Sequence, residues 1–148
     1  MVRVIMGKKG SGKTKQMIEL INAAVGTEHG NVVCIERNRA LTYNIDYNIR
    51  LVEASDFDIK DFEFLKGMVS GLYAGNYDIT HMFIDSLCRV VPCDGGPEVE
   101  EFLDWLDAFS EKNNIKFTVT ISADAELAAA GVGADLVRLS CGLEASED

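Results

Sequence analysis

At 148 residues, 47% of them hydrophobic, the chain is long enough to bury a core as one domain, residues 1–148, without disulfides or a structural metal. Its formal net charge of −10, from 24 acidic against 14 basic residues, repels nucleic acid and anionic membranes, so neither is expected as a partner. No apolar stretch approaches the length that spans a bilayer, and the opening run Met1 to Met6 is too short for a signal peptide, which predicts a cytoplasmic protein.

Arg3, Val4, Ile5 and Met6 read as a short buried strand, and the chain then breaks into glycines and lysines at GKKGSGKT. Gly tolerates backbone angles that other residues avoid and lysines solvate well, so one reading is a flexible loop. The spacing favours another. Gly7, Gly12, Lys13 and Thr14 fill every fixed position of the phosphate-binding pattern G-x-x-x-x-G-K-[ST], with Lys8, Lys9, Gly10 and Ser11 between them. Met17, Ile18, Leu20, Ile21, Ala24 and Val25 then recur at helical spacing, so strand, loop and helix come in the order a phosphate cradle requires. In such a cradle the glycines let backbone N–H groups turn inward around phosphate oxygens, at the positive end of the following helix. Lys13 carries charge to the β and γ phosphates, and Thr14 offers a hydroxyl to the Mg2+ that accompanies ATP. Residues 1–15 hold Arg3, Lys8, Lys9, Lys13 and Lys15 and no acid, so positive charge gathers here in an otherwise acidic chain.

GTEHGN at residues 26–31 reads as a helix stop and turn, and VVCIE as a buried strand ending in Glu36. A short strand is expected over 49–54, with Asp56 or Asp58 capping a helix whose apolar residues are Phe62, Leu65, Met68, Val69, Leu72 and Tyr73. Gly67 and Gly71 share a side of that helix and suggest close packing against the sheet, and Gly75 and Asn76 end it. HMFIDSL, residues 81–87, is a buried strand ending in Asp85. Pro97 opens a helix to about Asn113, with Val99, Phe102, Leu103, Leu106 and Phe109 inward and an acidic outer face. That face is a solvated surface or a contact for a protein partner or a second copy of the chain. IKFTVTISA is a further strand and DLVRLS another. Strands alternating with helices over short connections predict a three-layer α/β fold with a mostly parallel central sheet.

Such sheets bind ligands at the carboxyl ends of their strands, so the residues closing the strands form one set. Asp85, after Met82, Phe83 and Ile84, matches a Walker B strand, whose acid holds magnesium directly or through water. The four cysteines, Cys34, Cys88, Cys93 and Cys141, show no C-x-x-C pair and read as reduced core or loop residues; His29 and His81 have no catalytic partner pattern.

With GKKGSGKT and MFID in hand, the chain resembles the P-loop NTPase superfamily, and within it the RecA-like branch, in which a strand lies between the Walker A and Walker B strands. The core is similar to bacterial thymidine kinases, including LAAAGVGADLVRLSC, which matches that family's closing helix-to-strand stretch. Thymidine kinases carry Glu directly after the Walker B Asp, where this chain has Ser86, and their zinc-binding cysteine pairs and nucleoside-enclosing segment have no counterpart here. The resemblance therefore implies a shared fold and a different substrate. A looser likeness is to small P-loop proteins labelled twitching-motility ATPases.

What the branch implies is ATP binding with Mg2+ and slow hydrolysis, or a nucleotide-dependent switch with little turnover, or a nucleoside-kinase-like phosphotransferase. RecA-like recombinases place a water-orienting Glu after the corresponding second strand, which points to Glu36 as the catalytic acid beside Lys13; the plain alternative is an exposed or Arg37-paired glutamate. Thr120 and Ser122 close the FTVTIS strand, where related proteins place a polar residue that senses the γ-phosphate.

Overall fold

The computed structural model describes residues 1–7, 13–37, 48–93, 96–122 and 137–140. Six strands form one sheet: β1 (Val2–Gly7), β2 (Asn31–Glu36), β3 (Arg50–Glu53), β4 (Ile79–Ile84), β5 (Lys116–Ser122) and β6 (Val137–Ser140). Their order across the sheet is β3-β2-β4-β5-β1-β6, and every pair runs parallel. Parallel neighbours cannot be joined by hairpins, so helices carry the chain back: α1 (Lys13–Thr27), α2 (Phe62–Gly75), a single turn α3 (Leu87–Val90) and α4 (Pro97–Asn113). All strand carboxyl ends consequently lie along one edge.

Alternation along the strands sorts the layers. Val33, Ile35, Met82, Ile84, Phe117, Val119 and Ile121 pack on one face against α2, α3 and α4, through Leu65, Val69, Leu87, Phe102, Leu103 and Leu106. The alternate residues Val32, Cys34 and Phe83 meet Met17, Ile21 and Ala24 of α1 on the other. The expected inward faces of both long helices are therefore the ones buried, and helices cover both faces of the sheet.

Two local expectations change. The cap of α2 is Asp61, whose side chain accepts a hydrogen bond from Phe64 N at 2.8 Å. Asp56 lies in a 3-10 turn, Ala54–Asp56, and Asp58 takes a left-handed backbone with φ of 48°, so the chain turns once more before the helix begins. Nor do Gly67 and Gly71 mark close packing, since a Cβ built at either meets nothing within 4 Å. The close approach is at Gly30 instead. A Cβ there would collide with the Asp78 carbonyl oxygen, which already accepts from Asn31 N at 2.8 Å, and with Thr80 Cγ2.

The α1 face also carries a half-buried polar pair at the amino end of the sheet. His81 stacks on Phe83 with centroids 4.1 Å apart, and its Nε2 meets Thr118 Oγ1 at 2.9 Å. Glu28, just past α1, lies 3.7 Å from His81 Nδ1 and accepts from Lys116 at 2.7 Å. Burial pushes the His81 imidazole down to about 4, helped by the Lys116 and Arg3 charges and opposed by the Glu28 carboxylate.

Two outcomes follow. Gly30→Ala should cost about 2 kcal/mol through overpacking, read by urea unfolding, and a cost near zero would contradict the backbone contact. Because the folded state disfavours protonated His81, its contribution is present above the unfolded value of 6.5 and is lost as pH falls towards 4. Between pH 7 and 5 the parent should therefore lose about 2 kcal/mol from this group. His81→Gln should flatten that loss, and an equal loss in both proteins would remove His81 as its source.

Candidate functional site

The first half of the site is assembled by β1 and α1. β1 is hydrogen-bonded to β5 on one side and to the edge strand β6 on the other, and its last residue, Gly7, is in register with Ser122 at the end of β5. α1 begins at Lys13 and has no acid in its first turn, so nothing there neutralises the positive end of the helix dipole. The strand-then-helix order predicted around GKKGSGKT is thus present. Lys8, Lys9, Gly10, Ser11 and Gly12 lie outside the described residues, as do the side chains of Lys13, Thr14 and Ser122.

The second half is built by β4, β5 and β2. Asp85 follows β4 directly, and its N–H donates to Ile35 O at 2.9 Å, which continues the ladder to β2. Asp85 is 8% exposed, and its Oδ1 accepts from the Thr120 hydroxyl at 3.0 Å. The same hydroxyl oxygen accepts from Ser86 N at 2.6 Å. Thr120, fully buried, therefore ties the acid and the next backbone amide to the neighbouring strand. Ser86 holds φ 57° and ψ 68°, a left-handed conformation rare outside Gly, Asn and Asp. That kink turns the chain out of β4 and straight into α3.

Glu36 stands one step beyond the Ile35–Ile84 register pair, beside Asp85, and is 2% exposed. The reading of Glu36 as an exposed strand-end glutamate therefore fails, and the Arg37 guanidinium reaches Arg89 O at 3.0 Å. Both acids bear on Cys34, whose thiol is pushed well above its usual range by burial, with the Asp85 and Glu36 carboxylates adding to the effect. Across the sheet the order is Glu36 on β2, Asp85 after β4, Thr120 and Ser122 on β5, and Gly7 on β1. Every predicted site residue that is described falls on this one edge.

Sequence reasoning named Thr120 only as a γ-phosphate sensor and missed its bond to Asp85. The alternation Thr118, Thr120, Ser122 in an otherwise apolar strand was the available signal, since a buried hydroxyl needs a partner. Nothing in the residue order announced the Ser86 kink. The oxygen donors of the set, carboxylate and hydroxyl, are the ligands Mg2+ takes.

The architecture is a three-layer α/β fold whose all-parallel sheet carries strand β5 between β1 and β4. Among solved structures the chain is similar to the flagellar accessory protein FlaH from Methanocaldococcus jannaschii, at a TM-score of 0.61 and 14% identity over 93% of this chain and 70% of that one. No protein-family model matches the chain. No curated protein matches it either. Among the described residues no helix is long and apolar enough to cross a membrane.

The Thr120 bridge can be tested directly. Thr120→Val keeps the shape but strips the acceptor from Ser86 N–H and the donor from Asp85, and should destabilise the fold by about 1–3 kcal/mol in urea unfolding. Thr120→Ser should recover most of the loss. A valine variant as stable as the parent would show that the bridge does not hold the turn.

Proposed function

We propose that the chain binds ATP with Mg2+ and hydrolyses it slowly, as a P-loop NTPase of the RecA-like branch working in the cytoplasm. The observation that supports this best is the gathering of Gly7, Asp85, Thr120 and Glu36 on the edge from which α1 springs. In this reading the loop from Gly7 to Gly12 wraps the phosphates, and Lys13 carries charge to the β and γ groups. Thr14 and Asp85 would hold the Mg2+, which would supply positive charge to the phosphates. Thr120 fixes the Asp85 carboxylate so that no reorganisation is needed when the nucleotide arrives, and Ser122 would be the residue that senses the γ-phosphate. Glu36 orients the attacking water, since binding the phosphates does not by itself aim a nucleophile. The acidic outer face of α4 is the surface we assign to a protein partner or second copy.

A nucleotide-dependent switch with little turnover is the second reading, favoured by Ser86, which stands where thymidine kinases carry a catalytic Glu. Transfer of the γ-phosphate to a small nucleoside-like acceptor is a third.

The deciding experiment is thermal unfolding with Mg-ATP followed by phosphate release. At a hundredfold excess over Kd, a ligand of the folded state adds about 2.7 kcal/mol, and Lys13→Ala should abolish that shift. Asp85→Asn should weaken binding mainly when Mg2+ is present. Glu36→Gln should keep binding and lower hydrolysis by about two orders of magnitude. An undiminished shift in Lys13→Ala would remove the phosphate site, while a parent that binds without releasing phosphate would move the switch ahead of the ATPase.

A further inference from the structure

We infer that Cys88 and Cys93 form a dithiol that closes into an intrachain disulfide by exchange with a low-molecular-weight disulfide. The two side chains are thiols, and Cys93 Sγ donates to Cys88 Sγ at 3.0 Å. A disulfide bond is about 2.05 Å long, so about 1 Å of approach separates the thiols from the bond.

The approach is pre-organised by the chain between them. Arg89 N and Val90 N both donate to Ser86 O, at 2.8 and 3.1 Å, and Val91 N donates to Leu87 O at 2.9 Å. Leu87, Val90 and Val91 are anchored in the core, each 2% exposed or less. Pro92 then restricts the backbone before Cys93. Closing the bond therefore orders little that is not already ordered.

Access comes at Cys93. A cavity of about 260 Å³ between the amino ends of α2 and α4 is lined by Val91, Pro92 and Cys93. Its charged lining is Lys60, Asp61, Glu63, Lys66, Glu98 and Glu101, a net acidic rim that favours a neutral reagent over an anionic one. Cys34 is a built-in contrast, since it is fully buried and its thiol is pushed well up.

The reaction balances as an exchange. The Cys93 thiolate attacks one sulfur of the reagent RS–SR and expels RS⁻, leaving a mixed disulfide. The Cys88 thiolate then attacks Cys93 Sγ and expels the second RS⁻. Two electrons pass from the cysteines to the reagent, and the two thiol protons end on the two RSH products. The new bond closes a loop that starts two residues beyond Ser86, on the segment that leaves Asp85.

The test treats the full chain with bis(2-hydroxyethyl) disulfide, a neutral probe, and maps the products by mass spectrometry of unreduced peptides. The expected product lacks two hydrogens, with the bond between Cys88 and Cys93, and dithiothreitol restores the parent mass. Cys88→Ser should stop at the first step, with one hydroxyethylthio group on Cys93. Stable separate adducts on both cysteines, bonds from either one to Cys141 or to another molecule, or no reaction at either would each overturn the assignment. The mapping on the parent stands whether or not the serine variant folds, and no outcome depends on nucleotide binding.

Discussion

Parallel pairing constrains everything else in this molecule. Strands that all run one way need a crossover after each, and each crossover returns the chain to start its next strand at the same edge. The residues that close β1, β2 and β5 and the one that follows β4 come from positions 7, 36, 122 and 85, far apart in the chain, yet they stand side by side because the sheet leaves them nowhere else to go. A site of this kind needs no specialised loop to gather its acids. It needs only strands that end in the right residue, and a helix whose amino end opens at the same edge.

Within that frame the α1 face pays for its polarity differently at its two ends. At the amino end, His81 sits between Thr118 and Glu28, with Lys116 on the same carboxylate, so charge is balanced locally and the imidazole stays neutral. At the carboxyl end two buried acids, Glu36 and Asp85, lie on adjacent strands and raise the cost of ionising Cys34 below them. Phe83 separates the two regions, stacking on His81 from the apolar layer that meets α1. One strand pair, β4 with β5, thus carries part of a polar cluster at one end and an acid bonded to a neutral hydroxyl at the other.

The strands and long helices were legible because burial imposes periods of 2 and 3.6 on apolar residues, and Val33, Ile35, Phe102 and Leu106 obey them. The edge residues were legible for a related reason: an acid at the end of an apolar run has little to do inside the core. What was not legible depends on geometry between elements. Asp56, Asp58 and Asp61 are equivalent as caps in the sequence, and only the extra turn before α2 selects Asp61. Gly67 and Gly71 look like a packing stripe, yet α2 turns that side to open space. Cys88 and Cys93 lie five apart, a spacing with no regular meaning, and meet only because a one-turn helix folds the chain back on itself.

The kink at Ser86 links these pieces into one unit. A left-handed serine is strained, and it persists because Thr120 accepts its N–H while Leu87 and Val90 are drawn into the core immediately after it. The same hydroxyl donates to Asp85, so the position of the acid and the direction of the exit chain are fixed by a single oxygen on a neighbouring strand. A glutamate in place of Ser86 would have to project from this kink. The second buried acid, Glu36, stands one strand over, where the backbone is regular β-structure and extension of the Ile35–Ile84 register sets its place beside Asp85. An acid held on a strand is harder to move than one on a turn, so a carboxylate supplied from β2 is constrained by the sheet itself rather than by the segment that leads into Cys88 and Cys93.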